Sequence, residues 1–303
     1  MLPNPDGKPR RSPMFVPMNS VRHIGSISKN DGRGAGEDCL LLELEDSVPP
    51  SEKDEARENL LQALDTADFG DREVIVRINA LETEAGKADL KAIGSHPRVD
   101  AILLPKVESA EQVELLHQGA PDKPLWLFVE TPKGVMNINS ILEHAEENNV
   151  QGLIFGNNDY SAAIGVETDN PMRYPREVLL TAGRAHGLTV LDGPHTRLPD
   201  RGAKGDAGLT ESAQLAKDLG FDGKCVIHPL QVPVVNKAFT PTDAEVGKAE
   251  KIVTAAADHP EGSSFRVEGI GFIEPLHVKQ AYGLKRMMEA ISSREQSSQV
   301  PRL

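Results

Sequence analysis

The amino-acid sequence predicts a (β/α)8 barrel, of the TIM-barrel class, followed by a C-terminal helical extension. Eight short runs rich in Leu, Ile, Val and Phe recur along the chain, with helix-like segments between most of them. The runs do not alternate strictly between apolar and polar residues, which is typical of parallel strands buried on both faces. Barrels of this kind typically have about 250 residues, which suits a chain of 303.

The predicted strands and helices follow one another in a regular order. The strands lie in the runs MFVPMN, CLLLELED, VIVRIN, AILLPKV, LWLFVET, GLIFGNND, TVLDGPH and KCVIHP. The helices lie in SEKDEARENLLQAL, SAEQVELLHQ, NINSILEHAEENN, REVLLTAGRAHG and LTESAQLAKDLG. Ser51 and Ser109 are expected to cap the first two helices, and Gly187 and Gly220 to end the last two. A doubly wound open sheet is the alternative, but no G-x-G-x-x-G follows the first strand, which weakens its dinucleotide-binding form.

The barrel is predicted to occupy residues 12–239 and the extension residues 240–292. Two helices are expected in the extension, in TPTDAEVGKAEKIVTAAADH and LHVKQAYGLKRMMEAISS, joined by the turn-rich PEGSSFRVEGIGFIEP. The chain ends, about residues 1–11 and 293–303, are polar and expected to be loose.

Composition and charge limit the possible partners. The chain is 39% hydrophobic and 26% charged, as in ordinary soluble proteins. A formal net charge of −13 argues against non-specific binding to nucleic acid. No apolar run approaches the ~20 residues of a membrane span, and no secretory signal is evident, so we expect a cytoplasmic protein. Cys39 and Cys225 lie in apolar runs and are expected to be buried free thiols.

Polar residues stand at the ends of five consecutive predicted strands. They are Glu45 and Asp46, then Arg77, Lys106, Glu130 and Asp159. Because active sites of such barrels lie at the C-terminal ends of the strands, these side chains are expected to meet at one mouth.

Glu130 and Asp159 are the candidate metal ligands. They end adjacent strands, which lie about 5 Å apart, and like charges that close are unfavourable without a cation or a proton between them. Hard cations such as Mg²⁺ are held by one or two carboxylates. The alternative is that each carboxylate caps a helix or pairs with a lysine. Two carboxylates on adjacent strand ends, with Arg77 nearby, favour the metal.

Arg77 and Lys106 are the cations of the predicted mouth. The planar fork of Arg77 suits a carboxylate, which belongs either to a substrate or to Glu45 or Asp46. Both interpretations can be true if Glu45 and Asp46 orient Arg77 toward a substrate. Lys106 is either a second contact to an anion or part of the same buried network.

The ordered motifs resemble the citrate lyase beta-subunit-like branch of the HpcH/HpaI aldolase family over roughly residues 15–290. They are FVP, LELEDSVPPSEKDEAR, VRIN, LLPKVES, ETPKGV, FGNND, GFDGKCVIHPLQV and FTPTDAEV. The resemblance implies a Mg²⁺-dependent carbon–carbon lyase. Its implied substrate is a 3-hydroxyacyl-CoA, such as malyl-CoA or citramalyl-CoA, and its products are acetyl-CoA and a 2-oxo acid.

The resemblance also implies residue roles. By motif, Glu130 and Asp159 match the metal ligands, and Arg77 matches the arginine that holds the 2-oxo acid. Backbone N–H groups around Gly156 and Asn158 are expected to bind the substrate carboxylate. Members of the family are often trimers or hexamers in which the extension of one subunit covers its neighbour's site, so a homotrimer or homohexamer is implied.

Two further expectations concern the residue before the last predicted helix and the segment after the first predicted strand. The family usually has Asp, any residue, then Pro near its last helix, whereas this chain has Glu274 directly before Pro275. Glu274 is therefore either the general acid that protonates the acetyl-CoA enolate or a helix-terminal residue beside a proline. Arg22 and Lys29, after the first strand, are candidates for contacts with the phosphates of coenzyme A.

Three other functions fit parts of the same pattern. A 2-oxo acid aldolase would use Mg²⁺ without a thioester. A citrate lyase beta subunit would act on an acyl-carrier-protein thioester with partner subunits. A binding protein would keep the fold without catalysis, although the carboxylate pair argues against it. The sequence does not choose between glyoxylate, pyruvate and oxaloacetate as the 2-oxo product.

Overall fold

The computed structural model describes residues 7–20, 25, 36–167, 170, 172–197 and 207–297. The chain divides into two compact units, and the boundary between them follows Phe239. The first unit spans residues 10–239, and the second contains residues 240–297 together with residues 7–9. Within the described part of the chain, no helix is long and apolar enough to cross a membrane.

The first unit is a barrel of eight parallel strands in sequential order. Strands β1 to β8 span Met14–Pro17, Cys39–Glu43, Glu73–Arg77, Ala101–Leu104, Leu125–Val129, Val150–Phe155, Thr189–Asp192 and Gly223–Lys224. The chain after β8 returns to β1, because Val226 forms a parallel bridge with Met14 and its carbonyl accepts from the Phe15 N–H at 2.9 Å. The predicted (β/α)8 fold is confirmed.

The strands are apolar on both faces because one face lines the barrel and the other meets the helices. The inward side chains form one buried cluster: Cys39, Leu41, Ile75, Ala101, Leu103, Trp126, Phe128, Ile154, Leu191 and Cys225. Most of the outward side chains join a larger core beneath the helices. Both cysteines are buried and free, as predicted.

The helices of the first unit follow the strands and cover the barrel. Helices α1 to α9 span Lys53–Thr66, Glu84–Ile93, Ala110–Gly119, Pro132–Met136, Ile138–Ile141, Asn157–Ile164, Arg173–Ala185, Ala207–Leu219 and Val232–Phe239. Ser109 caps α3 in a capping box with Gln112, as predicted. Gly187 and Gly220 follow α7 and α8 at φ +72° and +103°, a backbone region in which glycine is favoured.

Two helix predictions are wrong. Ser51 does not cap α1, because it lies inside a 3-10 turn, Pro50–Glu52, and Glu52 takes the cap position. The run NINSILEHAEENN does not form one helix: α5 ends at Ile141, and turns occupy most of residues 142–149. Asn149 has φ +54° at the end of this run, which an α-helix cannot contain.

The second unit has its own small core. Helix α10, Asp243–Ala256, begins at a capping box of Thr242 and Glu245, and helix α11 spans Pro275–Ser297. Between them lies a hairpin of β9, Phe265–Val267, and β10, Gly271–Ile273, where the sequence indicated only turns. Buried residues from the helices and the hairpin form the core: Ala249, Ile252, Phe265, Ile273 and Ala281.

The predicted loose ends are partly wrong. Arg10 and Arg11 are buried, with 2% and 4% of their surfaces exposed, because both form ion pairs at the N-terminal end of the barrel. At the other end of the chain, α11 continues to Ser297. The remaining residues of both predicted ends, apart from residues 7–9, lie outside the described part.

Candidate active site

The strand register brings polar side chains together at the C-terminal end of the barrel. Glu43 and Arg77 are register partners at the ends of β2 and β3, and Glu130 directly follows β5. Each stands two residues after an inward apolar residue, namely Leu41, Ile75 or Phe128. Because side chains alternate along a strand, all three polar side chains face the barrel interior.

Arg77 is shared by four carboxylates. Its Nη2 lies 2.6 Å from Glu45 Oε2, 3.1 Å from Glu130 Oε1 and 3.3 Å from Asp46 Oδ2. Its Nη1 lies 3.3 Å from Glu43 Oε2. The guanidinium is buried and stays charged, since these carboxylates raise its pKa further despite the opposing effect of burial. Both sequence interpretations of Arg77 therefore remain compatible, because the acids orient it toward the mouth.

The carboxylates outnumber the cations in this buried region. Burial raises the pKa of Glu130 well above its ordinary value, and the charges of Asp159 and Glu45 add to this effect against the opposing attraction of Arg77. Burial likewise raises the pKa of Glu43. The site thus favours additional positive charge, either as protons or as a metal cation.

Three carboxylates converge on one point. Asp46, Glu130 and Asp159 each offer an oxygen within 4.8 Å of the other two. Glu130 is buried, whereas Asp46 is exposed and Asp159 is intermediate, so the point opens to solvent on one side. An all-oxygen donor set with an open side fits Mg²⁺, which keeps water or substrate oxygens among its ligands. The structure thus brings the two predicted ligands together and adds Asp46 beside them.

Lys106 ties this group to the end of β4. Its ammonium lies 2.6 Å from Glu45 Oε1, 2.8 Å from Asp46 Oδ1 and 3.8 Å from Asp159 Oδ2. Its backbone N–H donates to Glu130 Oε1 at 2.9 Å, from a left-handed conformation with φ +49°. Partial burial opposes its charge, but hydrogen bonds to Asp46 and Glu45 outweigh burial and raise its pKa. These carboxylates therefore favour the ammonium form of Lys106.

A cavity of about 230 Å³ lies over this group. It is lined by Phe15, Glu43, Asp46, Ser47, Arg77, Phe128, Glu130, Gly156, Asn157, Asn158, Asp159, Pro194 and Ile227. Pockets for drug-sized ligands have about 300–1,000 Å³, so the cavity suits a small acid and not a whole nucleotide cofactor.

The first turn of α6 faces the cavity. The helix begins at Asn157 with Gly156 as its N-cap, and the first N–H groups of a helix have no intrahelical acceptor. Such a terminus favours an anion. A side chain at Gly156 would collide with Glu130 and the Phe128 ring, so glycine is needed for this close approach.

Several lining residues were not predicted as site residues, and Glu43 and Asn157 are among them. Extending the inward alternation of β2 from Leu41 would have found Glu43. Asn157 is buried, and its Nδ2 donates to the Pro194 carbonyl at 3.1 Å; nothing in the sequence pairs these two residues.

Three predicted site residues do not belong to the described part of the first unit. Arg22 and Lys29 fall outside the described residues. Glu274 belongs to the second unit, where it directly precedes Pro275, the first residue of α11. Its backbone N–H donates to Nδ1 of His277 at 3.0 Å, so it stands at a helix N-terminus, as one of the two sequence interpretations holds.

Comparison with known proteins identifies the family. Residues 11–229 match the model for HpcH/HpaI aldolase/citrate lyase, so the chain belongs to this family, as the motifs predicted. A (3S)-malyl-CoA thioesterase from Cereibacter sphaeroides is 36% identical over 292 residues, covering 94% of this chain and 96% of the relative. Citrate lyase subunit beta from Leuconostoc mesenteroides is 32% identical over 269 residues, covering 84% and 85%.

A solved structure supports the same assignment. The CitE protein of Mycobacterium tuberculosis, in complex with magnesium, acetoacetate and coenzyme A, matches with a TM-score of 0.71 at 28% identity. The match covers 93% of this chain and 99% of that protein. The relatives named here include a thioesterase and a lyase subunit, so membership establishes an enzyme family but not the type of bond that this chain breaks.

Proposed function

We propose that the chain is a Mg²⁺-dependent lyase that cleaves a short 3-hydroxyacyl-CoA, such as malyl-CoA or citramalyl-CoA, to acetyl-CoA and a 2-oxo acid. The observation that carries the proposal is the convergence of Asp46, Glu130 and Asp159 within 4.8 Å, beside Arg77 and the first turn of α6. The magnesium and coenzyme A bound by the M. tuberculosis neighbour support the same ligands here.

Each side chain has a task in this reaction. Glu130 and Asp159 would hold the metal, with Asp46 next to them, and a bound Mg²⁺ supplies Lewis-acid polarisation of substrate oxygens. Arg77 opposes the negative charge on the hydroxyl oxygen once that oxygen has lost its proton to a base, and this charge passes to the acetyl-CoA enolate as the carbon–carbon bond breaks. The N–H groups at the start of α6 bind the substrate carboxylate. The acetyl-CoA enolate then takes a proton, for which Glu274 is the proposed donor.

Hydrolysis of the thioester is the second candidate. The relative that is 36% identical over 94% of this chain is a (3S)-malyl-CoA thioesterase. The residues before the last helix also favour this candidate, since the lyase branch usually has Asp, any residue, then Pro there, whereas this chain has Glu274 directly before Pro275. Hydrolysis consumes one water and releases malate and free coenzyme A, so it needs no proton donor to an enolate.

A product assay separates the candidates. The purified protein is incubated with malyl-CoA and Mg²⁺, and free thiol, acetyl-CoA and glyoxylate are measured together. Cleavage predicts acetyl-CoA and glyoxylate in equal amounts without free thiol. Free thiol without glyoxylate would identify a thioesterase instead. If neither malyl-CoA nor citramalyl-CoA is consumed, the CoA-independent aldolase is the better account.

The second unit is proposed to lend Glu274 to a neighbouring subunit of a homotrimer or homohexamer. Two inactive variants, Glu274→Gln and Asp159→Asn, are unfolded together and reassembled. Mixed oligomers would then contain some sites with both residues intact, so activity should partly return. No recovery in demonstrated mixed oligomers, or full activity of Glu274→Gln alone, would contradict this arrangement.

A further inference from the structure

The cavity is lined by two kinds of side chain. In the part of the chain that the structure describes, four lining residues are carboxylates and one is Arg77, whereas Phe15, Phe128, Pro194 and Ile227 are apolar, and we call these four the apolar wall. The Arg77 guanidinium lies over the Phe128 ring, 4.4 Å from its centroid, so the charged group and the apolar wall meet there. Given the proposed function, a substrate bound to the charged group is expected to hold the remaining substituent of its reacting carbon against the apolar wall.

The apolar wall is built by the closure of the barrel. Val226 bridges to Met14, and the next residues, Phe15 within β1 and Ile227 after β8, both line the cavity. The Phe15 ring meets the Phe128 ring edge to face, with centroids 6.0 Å apart. The backbone N–H of Ile227 donates to Gln231 Oε1 at 2.9 Å, which holds the backbone of Ile227 at this position.

The cavity offers little to a second substrate anion. Among the described residues that line it, four are carboxylates and one, Arg77, is a cation. Arg77 already lies within 3.3 Å of carboxylate oxygens from four residues. The ammonium of Lys106 is held by Glu45 and Asp46. An anionic substituent against the apolar wall would therefore exchange part of its water for apolar contacts, and among the described lining residues it would gain no cation other than the already shared Arg77.

Three thioesters differ at this substituent alone. The hydroxyl-bearing carbon carries a hydrogen in malyl-CoA, a methyl group in citramalyl-CoA and a carboxymethyl group in citryl-CoA. We propose that the apolar wall restricts the enzyme to 3-hydroxyacyl-CoA thioesters with one free carboxylate, and that Ile227 sets this limit. Hydrogen and methyl pack against Ile227, whereas a carboxymethyl group places an unpaired charge there.

The test measures kcat/KM for loss of each of the three thioesters, so it applies to cleavage and to hydrolysis alike. We expect malyl-CoA and citramalyl-CoA to exceed citryl-CoA by at least about a hundredfold. A ratio near one, or a preference for citryl-CoA, would overturn the restriction. If none of the three is consumed, the proposed function fails and this inference fails with it.

Ile227→Arg tests the residue itself. Ile227 is 39% exposed, so a longer side chain has room. The arginine cation should pair with the added carboxylate of citryl-CoA. The ratio of kcat/KM for malyl-CoA to kcat/KM for citryl-CoA should therefore fall at least about tenfold. Leu230→Arg adds the same charge at an exposed position outside the cavity and should leave the ratio unchanged. An unchanged ratio in folded Ile227→Arg, or an equal change in the control, would overturn the role of Ile227. If Ile227→Arg does not fold, Ile227→Lys replaces it; if neither folds, the side chain is needed for the fold and its role as the limit is rejected.

Discussion

The two ends of the barrel use arginine and carboxylate in opposite ways. At the N-terminal end, Arg11 donates to both oxygens of Asp38, at 2.8 and 2.9 Å, and Arg72 pairs with Glu37 at 2.6 Å. In each of these pairs the guanidinium charge is matched by a carboxylate charge. Such pairs hold together the segments at this end of the barrel.

At the C-terminal end the balance is lost. Arg77 is shared by Glu43, Glu45, Asp46 and Glu130. The same residue types at similar burial thus form structural ion pairs at one end of the barrel and a group with excess negative charge at the other. Uncompensated charge in a buried place costs stability and persists where function requires it.

The largest expected effect is from Glu130→Gln. Glutamine keeps the shape but not the charge, so turnover should fall by more than about a hundredfold and Mg²⁺ affinity should fall with it. Turnover and calorimetric titration with Mg²⁺ measure the two effects. The matched substitution at the other end, Glu37→Gln, should leave turnover per folded molecule unchanged, and equal losses in both variants would abolish the distinction between the ends.

Arg77→Lys should have the next largest effect on turnover. Lysine keeps the positive charge but not the planar fork, so turnover should fall by about tenfold to a hundredfold while calorimetry finds Mg²⁺ still bound. Arg72→Lys is the control at the N-terminal end. Normal kinetics in Arg77→Lys would reject its role in the reaction.

Arg11→Met should affect stability and not turnover. It leaves Asp38 buried without its guanidinium, which costs about 3–5 kcal/mol, measurable by chemical denaturation. Adding Asp38→Asn removes the stranded charge and should recover part of the loss. A loss of turnover per folded molecule would contradict a purely structural N-terminal end.

The smallest effect is a pH dependence of stability at Glu43. Burial raises its pKa above the ordinary 4.5, so its contribution to folding is complete below that value and is lost as pH rises through the folded pKa. Glutamine mimics the protonated acid, so its contribution to the free energy of unfolding does not change with pH. The free energy of unfolding of Glu43→Gln, relative to the unsubstituted protein, should therefore increase from pH 4 to pH 8. A difference that is constant with pH would show that Arg77 compensates Glu43 fully.

The sequence predicted those features of the two barrel ends that follow from the periodicity of apolar residues. Apolar runs located all eight strands, and polar residues at their ends located Arg77, Glu130 and Asp159 together. Alternation was not followed into the last residue of β2, so Glu43 was missed.

Long-range partners were beyond the sequence. The N-terminal ion pairs join residues from different strands and from the segment before β1, so Arg10 and Arg11 were assigned to a loose end. The hairpin of the second unit was hidden because its strands have only three residues each, too few to display a period.

The central claim is that the unbalanced end binds a divalent cation through Glu130 and Asp159. Diffraction from crystals soaked in Mn²⁺, with the anomalous signal of the metal, tests it most directly. The account predicts a peak at the barrel mouth, within bonding distance of one oxygen from each of these carboxylates. No peak at saturating Mn²⁺, or a peak that neither carboxylate contacts, would contradict it.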